Sequence, residues 1–308
     1  MRFSLVQTAK RGSNAGCRSF LIHSIALFAP VLAAVLPAAA PAQEARPEHA
    51  VTESLFDTEH MFGFAEGADI GPKGEWEVES VTIAGFGALD SSLNVDTAAS
   101  IKYSVTNDLR LSVGPLAEYH SFRHALDLGN HSGMNFSGMF VEARWKIVDR
   151  LIAPFGMSLN VAPEWRRIDS ATGHTAEGYG VFAALLIDKE IVPDRFFTVL
   201  NLIYAPSLLR LSGSGWAHDD SFIAIAGGSY AISPRLLFGA EVRHENLAHN
   251  GFLTAHALFV GPHLYMSPAE NLSVKIAWAM QIPDFAANRA DLVNFERSQV
   301  LLQLVTHF

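Results

Sequence analysis

The chain has 308 residues, 49% hydrophobic and only 17% charged, with a formal net charge of −9. That acidic balance offers nothing to hold a phosphate backbone, so nucleic acid is excluded as a partner. The one cysteine, Cys17, lies close to the N-terminus, which leaves the body of the chain without disulfide or thiol chemistry.

Arg2, Lys10, Arg11 and Arg18 precede an apolar run from Phe20 to Leu36, and Ala40-Pro41-Ala42 forms a small-x-small site before Gln43. This order predicts a cleaved secretory signal peptide over residues 1–42. Asn14-Ala15-Gly16-Cys17 comes before the apolar run rather than after it, so no lipid anchor is expected. Beyond residue 42 no uncharged apolar run reaches 18 residues, and no transmembrane helix is expected. Residues 43–74 mix Pro, Glu, Asp and Gly around one apolar cluster, Met61-Phe62-Gly63-Phe64. They read as a periplasmic lead-in or, alternatively, as a plug folded into whatever the following strands enclose.

From Glu75 the sequence alternates with a period of two, the mark of strands wetted on one side. Leu93 to Val105 is the clearest case, with Leu93, Val95, Ile101 and Tyr103 on one face and Asn94, Asp96, Lys102 and Ser104 on the other. Similar stretches follow, two of them (Phe196 to Leu208 and Thr254 to Met266) apolar on both faces and so without a clear facing. Short turns at 106–108, 149–150, 188–194, 233–235 and 267–270 alternate with longer polar connections near 121–134, 166–174, 210–220, 246–252 and 282–294, and with one near 87–90. Eleven connections imply twelve strands. Tyr103, Trp145, Phe196, Tyr230, Phe238 and Tyr265 all lie beside short turns and are expected to form an aromatic girdle at one level.

The last strand sets Val300, Leu302, Leu304, Thr306 and Phe308 on one face, with Phe308 at the end. This ending, the signal peptide, the alternating strands and the short turns together resemble bacterial outer-membrane β-barrels across residues 75–308. Phe62-Gly63-Phe64-Ala65-Glu66-Gly67 followed by Gly74-Glu75-Trp76-Glu77 is similar to porin-like members of that class in Gram-negative bacteria. The resemblance implies an all-β, closed antiparallel transmembrane barrel of about twelve strands in the bacterial outer membrane. It also implies contact with outer-membrane lipid, and with the barrel-assembly machinery through Val300, Leu302, Leu304, Thr306 and Phe308.

The face opposite the apolar one is expected to line the lumen with Glu77, Glu79, Asp96, Lys102, Arg110, Glu118, Glu142, Arg144, Lys146, Glu164, Glu241, Arg243 and Lys275. Balanced charges of this kind either line a water-filled pore or pair with one another in a packed one. The first reading is a narrow porin-like channel for passive diffusion of ions or small solutes. The alternatives are a structural or surface-display barrel with a filled lumen, and a lipid-modifying hydrolase. The adjacent pairs His120-Ser121 and His131-Ser132 point to opposite strand faces and make no nucleophile–base pair, so no catalytic residue is assigned. His120, His124, His131, His218, His244, His249 and His256 gather toward the outer connections with Asp219 and Asp220, but at no metal-binding spacing, and neither metal nor cofactor is expected.

Overall fold

The computed structural model describes residues 56–88, 93–122, 131–170, 172–284 and 288–308. The expected signal peptide and His124 lie outside these residues. Twelve strands follow one another: β1 (Trp76–Phe86), β2 (Leu93–Ser104), β3 (Leu109–Phe122), β4 (His131–Val148), β5 (Gly156–Ile168), β6 (Thr175–Val192), β7 (Phe196–Leu211), β8 (Ala217–Ser233), β9 (Leu236–His249), β10 (Phe252–Ala269), β11 (Leu272–Ile282) and β12 (Ser298–His307). Each pairs with its sequence neighbours, and β1 pairs with β12 to close the barrel. That seam is antiparallel from Glu77↔His307 to Phe86↔Ser298. The main chains of Trp76 and Phe308 extend it, with N···O distances of 3.3 and 2.9 Å. Closure leaves no unpaired edge, a condition that lipid imposes on any spanning sheet.

Alternation decides which side of each strand faces out of the barrel. Ile101, Leu111, Val141, Trp145, Ile276 and Leu304 are exposed on the outer wall, whereas Lys102, Arg110, Arg144, Lys275 and Gln303 are buried inside. Rings mark both rims. Near the short turns Trp76 packs on Tyr103 at 4.6 Å, and Phe196, Tyr230 and Phe238 stand side by side on β7, β8 and β9. Toward the other rim Tyr204 stacks on Phe222 at 4.7 Å, and Phe136 lies 6.4 Å from Trp165. Tyr265 departs from the expected girdle. It points into the barrel, is buried, and sets its hydroxyl 3.4 Å from Asp57.

The two strands apolar on both faces also resolve. Phe197, Val199 and Ile203 of β7 and Ala257, Phe259 and Tyr265 of β10 turn inward and are buried, while Leu202, Tyr204, Leu208 and Val260 turn outward and are exposed. Four of the six outer connections are shorter than expected. Residues 212–216 join β7 to β8, and Asn250–Gly251 alone joins β9 to β10. Asn250 and Gly251 have φ of 49° and 81°, the paired left-handed geometry that suits Asn-Gly in a two-residue hairpin. The polar stretches read as loops are partly strand ends whose inward residues, such as Arg166 and Asp219, face the lumen. Connection length therefore does not sort the two rims cleanly, since residues 149–155 at the opposite rim are longer than this hairpin.

Candidate functional site: a plugged lumen

Residues 56–74 enter the barrel and run along its inner wall. Met61, Phe62 and Ala65 are each 0% exposed. The segment forms neither helix nor strand, so its backbone polar groups need partners elsewhere. It closes on itself through Gly67 N–H donating to Glu59 O at 2.9 Å and Thr58 Oγ1 donating to Asp69 at 3.0 Å. Glycine is required there, because a Cβ at Gly67 would lie 1.9 Å from the Thr58 carbonyl oxygen.

The wall supplies the other partners. The Glu241 carboxylate accepts the backbone N–H groups of Gly63, Phe64 and Ala65 at 2.8, 2.6 and 3.1 Å. Asn201 meets both backbone groups of Glu66, accepting at 2.7 Å and donating at 2.8 Å. Asp188 accepts from Ala68 N–H at 2.5 Å. Ser229 donates to Met61 O at 2.9 Å, and Arg144 to Gly67 O at 2.6 Å. Apolar contacts fill the remainder. Phe56 packs edge-on against Phe197 at 5.4 Å, and the Arg243 guanidinium lies between the rings of Phe64 and Phe259, 4.3 and 4.8 Å from their centres.

Charge concentrates where the plug meets β1–β4. Glu59 pairs with both Arg110 and Arg144, and Arg144 also reaches Glu66 at 3.2 Å. Lys102 sits 2.6 Å from both Glu77 and Glu79, and Arg110 is 3.1 Å from Glu77. Burial alone would push the Glu59 carboxyl up, but the facing Arg110 and Arg144 hold it well below the usual range. His60 answers with the opposite sign: burial would push it down, and Asp57, Glu59 and Glu77 hold it well above the ordinary histidine range.

All thirteen residues assigned to the inner face point inward. Glu77, Glu79, Lys102, Arg110, Glu118, Arg144, Glu241, Arg243 and Lys275 are buried, and Asp96, Glu142, Lys146 and Glu164 are half-buried. Nine of them fall into two groups. Glu77, Glu79, Lys102, Arg110, Arg144, Lys146 and Glu241 bear on the plug or on its immediate partners. Glu118, Glu164 and Arg166 form a separate network toward the outer rim, with Arg166 2.8 Å from Glu118 and 2.6 Å from Glu164. His120 joins it, 3.1 Å from Glu118.

Three features escaped the sequence. Glu59, His60 and Glu66 lie in a segment with no period to reveal their facing. Ser229 and His263 touch at 2.7 Å from strands far apart in sequence, but Ser229 is buried under Met61 and directed at its carbonyl. Asp57, His60 and His307 bring possible metal-binding atoms within 4.8 Å of one another, as do Glu59, His60 and Glu77, and Glu75, Glu77 and His307. The outer histidines pair singly instead: His249 with Asp219 at 2.6 Å, His218 with Asp220 at 3.3 Å and His256 with Asp284 at 3.6 Å.

The model of a family of unknown function, DUF6662, matches residues 54–308. No curated protein matches the chain. Among solved structures the chain is similar to the COG4313 outer membrane channel from Pseudomonas putida F1, with a TM-score of 0.54 and 14% identity over 78% of this chain and 98% of that one. The NanC porin gives a TM-score of 0.44 at 11% identity, over 75% of this chain and 98% of that one. A Pseudomonas aeruginosa FadL homologue gives 0.40 at 10% identity, over 76% and 89%. At these identities the likeness is one of fold alone, that of a closed antiparallel β-barrel.

Proposed function

The chain belongs to the family of unknown function DUF6662, and we propose that it is a gated channel for passive diffusion of ions or small solutes, closed here by residues 56–74. The observation that carries this reading is the chemistry of the wall behind the plug. Glu77, Glu79, Lys102, Arg110, Arg144 and Glu241 are buried against the segment, where a barrel filled only for strength gains as much from well-packed apolar residues. A charged wall suits water once the plug leaves, and lining charges then bias which ions pass. The polar grip on the plug makes it a stopper rather than a core.

In this reading the signal peptide over residues 1–42 directs export, and the barrel-assembly machinery takes the chain through β12 and Phe308. No catalytic step is involved, because Ser229 and His263 are sealed beneath Met61, away from lipid and solvent.

Single-channel recording in planar bilayers tests the proposal. The wild-type protein should give discrete conductance steps, and Glu241→Gln, which weakens the hold on three backbone N–H groups, should raise the open fraction severalfold. Silence from both proteins, with the barrel intact by heat-modifiable gel migration, would instead establish the filled-lumen structural barrel.

A further inference from the structure

We propose that the plug is clamped to the closing strand by a divalent transition-metal ion of the zinc class, held by Asp57 and His60 of the plug and His307 of β12. Asp57 Oδ2 lies 2.9 Å from His60 Nδ1 and 3.7 Å from His307 Nε2. Ligand atoms around a tetrahedral zinc ion stand about 3.4 Å apart, given bonds of about 2.1 Å. The three side chains therefore enclose a space of the right size and leave a fourth position for water.

The other nitrogen of each imidazole is already turned to a glutamate. His307 Nδ1 is 3.1 Å from Glu75 Oε1. His60 Nε2 is 3.4 Å from Glu59 and Glu77 and 3.3 Å from Glu79, with the ring 1% exposed and Nε2 making no hydrogen bond. A metal-binding histidine characteristically points its free N–H at a carboxylate, which fixes the tautomer and raises the basicity of the binding nitrogen. Two histidines on different segments share that arrangement around one aspartate.

Charge agrees with geometry. Glu59, Glu66, Glu77 and Glu79 pair with Lys102, Arg110 and Arg144, whereas among the described ion pairs Asp57 and Glu75 face only His60 and His307. A dication held by the two imidazoles supplies these two carboxylates with a permanent positive charge. Two nitrogens and one oxygen select zinc-class ions over calcium or magnesium, which take oxygen. Side-chain exposures of 19% for Asp57 and 27% for His307 give the ion a route in. The neighbouring group of Glu59, His60 and Glu77 is a poorer site, since Lys102 Nζ already stands 2.6 Å from Glu77 Oε1 and 3.6 Å from Glu59 Oε1.

The site stands on this geometry, while its effect on current rests on the channel reading above. The test is equilibrium dialysis of the full-length protein, purified in detergent and stripped with chelator, against zinc alone. One equivalent should bind, and Asp57→Asn and His307→Gln should each weaken binding at least tenfold. His249→Gln, at the opposite rim, should leave it unchanged. Cobalt in place of zinc should give visible absorption of tetrahedral intensity that Asp57→Asn abolishes. Asp57 lies outside the strands, so its variant tests the site even if His307→Gln disturbs closure of the barrel. No bound zinc, binding indifferent to Asp57→Asn, or binding lost with His249→Gln would overturn the proposal. If zinc binds as expected but the folded protein passes no current in bilayers with zinc or with chelator, the channel reading fails and the metal site remains.

Discussion

Arg144, like Glu241, holds three groups of the plug, with Glu59, Glu66 and the Gly67 carbonyl all within its reach. Removing one partner from a buried ion pair costs about 3–5 kcal/mol, because the remaining charge is stranded. Arg144→Met should therefore release the plug while the barrel stays closed, and limited proteolysis should cut the chain between residues 56 and 74. Protection equal to wild type would contradict this. Acid should act in the same direction. The Glu59 carboxyl is held below its ordinary value of 4.5, so its contribution is complete above that value and is lost as pH falls below it. His60 is shifted upward, so its contribution is complete below the ordinary histidine range and declines as pH rises above it. With chelator present, the plug should hold at neutral pH and become protease-sensitive below about pH 4. At this scale the alternation of the strands exposed Arg110, Arg144 and Glu241. It was silent on Glu59 and His60, whose facing is set by side chains distant in sequence.

At the scale of the strand, β7 and β10 explain why two stretches were apolar on both sides. Their inner faces meet rings rather than water, Phe56 against Phe197 and Phe295 against Phe259. A strand buried on both faces loses its alternation, so the ambiguity was itself a sign of the filled lumen. The overestimated loops have the converse cause, because inward polar residues such as Arg166 and Asp219 look like loop composition until their partners are known. Glycine sets a second constraint. In β3, Gly114 precedes Pro115, and a Cβ on Gly114 would lie 1.7 Å from the Ala99 carbonyl oxygen of β2. The ladder between these strands skips from Ala98↔Leu116 to Ile101↔Val113 around that point, as expected where proline removes a donor. Gly114→Val should prevent β2 and β3 from pairing, and the protein should stay in its heat-denatured gel position after refolding into detergent. Normal compact migration would contradict the claim that this contact requires glycine.

The molecule as a whole presents one apolar wall outward and one stopper inward. Val141 is 54% exposed on the outer face of β4. Val141→Arg should destabilise folding into lipid vesicles by about 2–4 kcal/mol, the cost of a cation near the bilayer centre of a barrel wall. An effect near zero would argue against lipid at that face. Twelve strands and the apolar exterior were legible from period and turn chemistry, because each is written locally, while closure came from the resemblance carried by the final strand. The path of residues 56–74 was not, since it depends on complementarity between a segment without regular structure and a wall assembled from β1 to β12.

The claim on which the account turns is that current passes only when this segment moves off the wall. Ala68 on the plug and Gly156 on β5 allow a direct test, because a Cβ on Gly156 would lie 3.2 Å from that of Ala68, close to the roughly 3.5–4.5 Å of a disulfide. Residues 43–308 contain no other cysteine. In the double variant Ala68→Cys, Gly156→Cys, recorded in planar bilayers, the oxidised protein should be silent and reductant should restore wild-type conductance steps. Unchanged conductance with the disulfide fully formed, or failure of the two cysteines to join in the folded barrel, would contradict it.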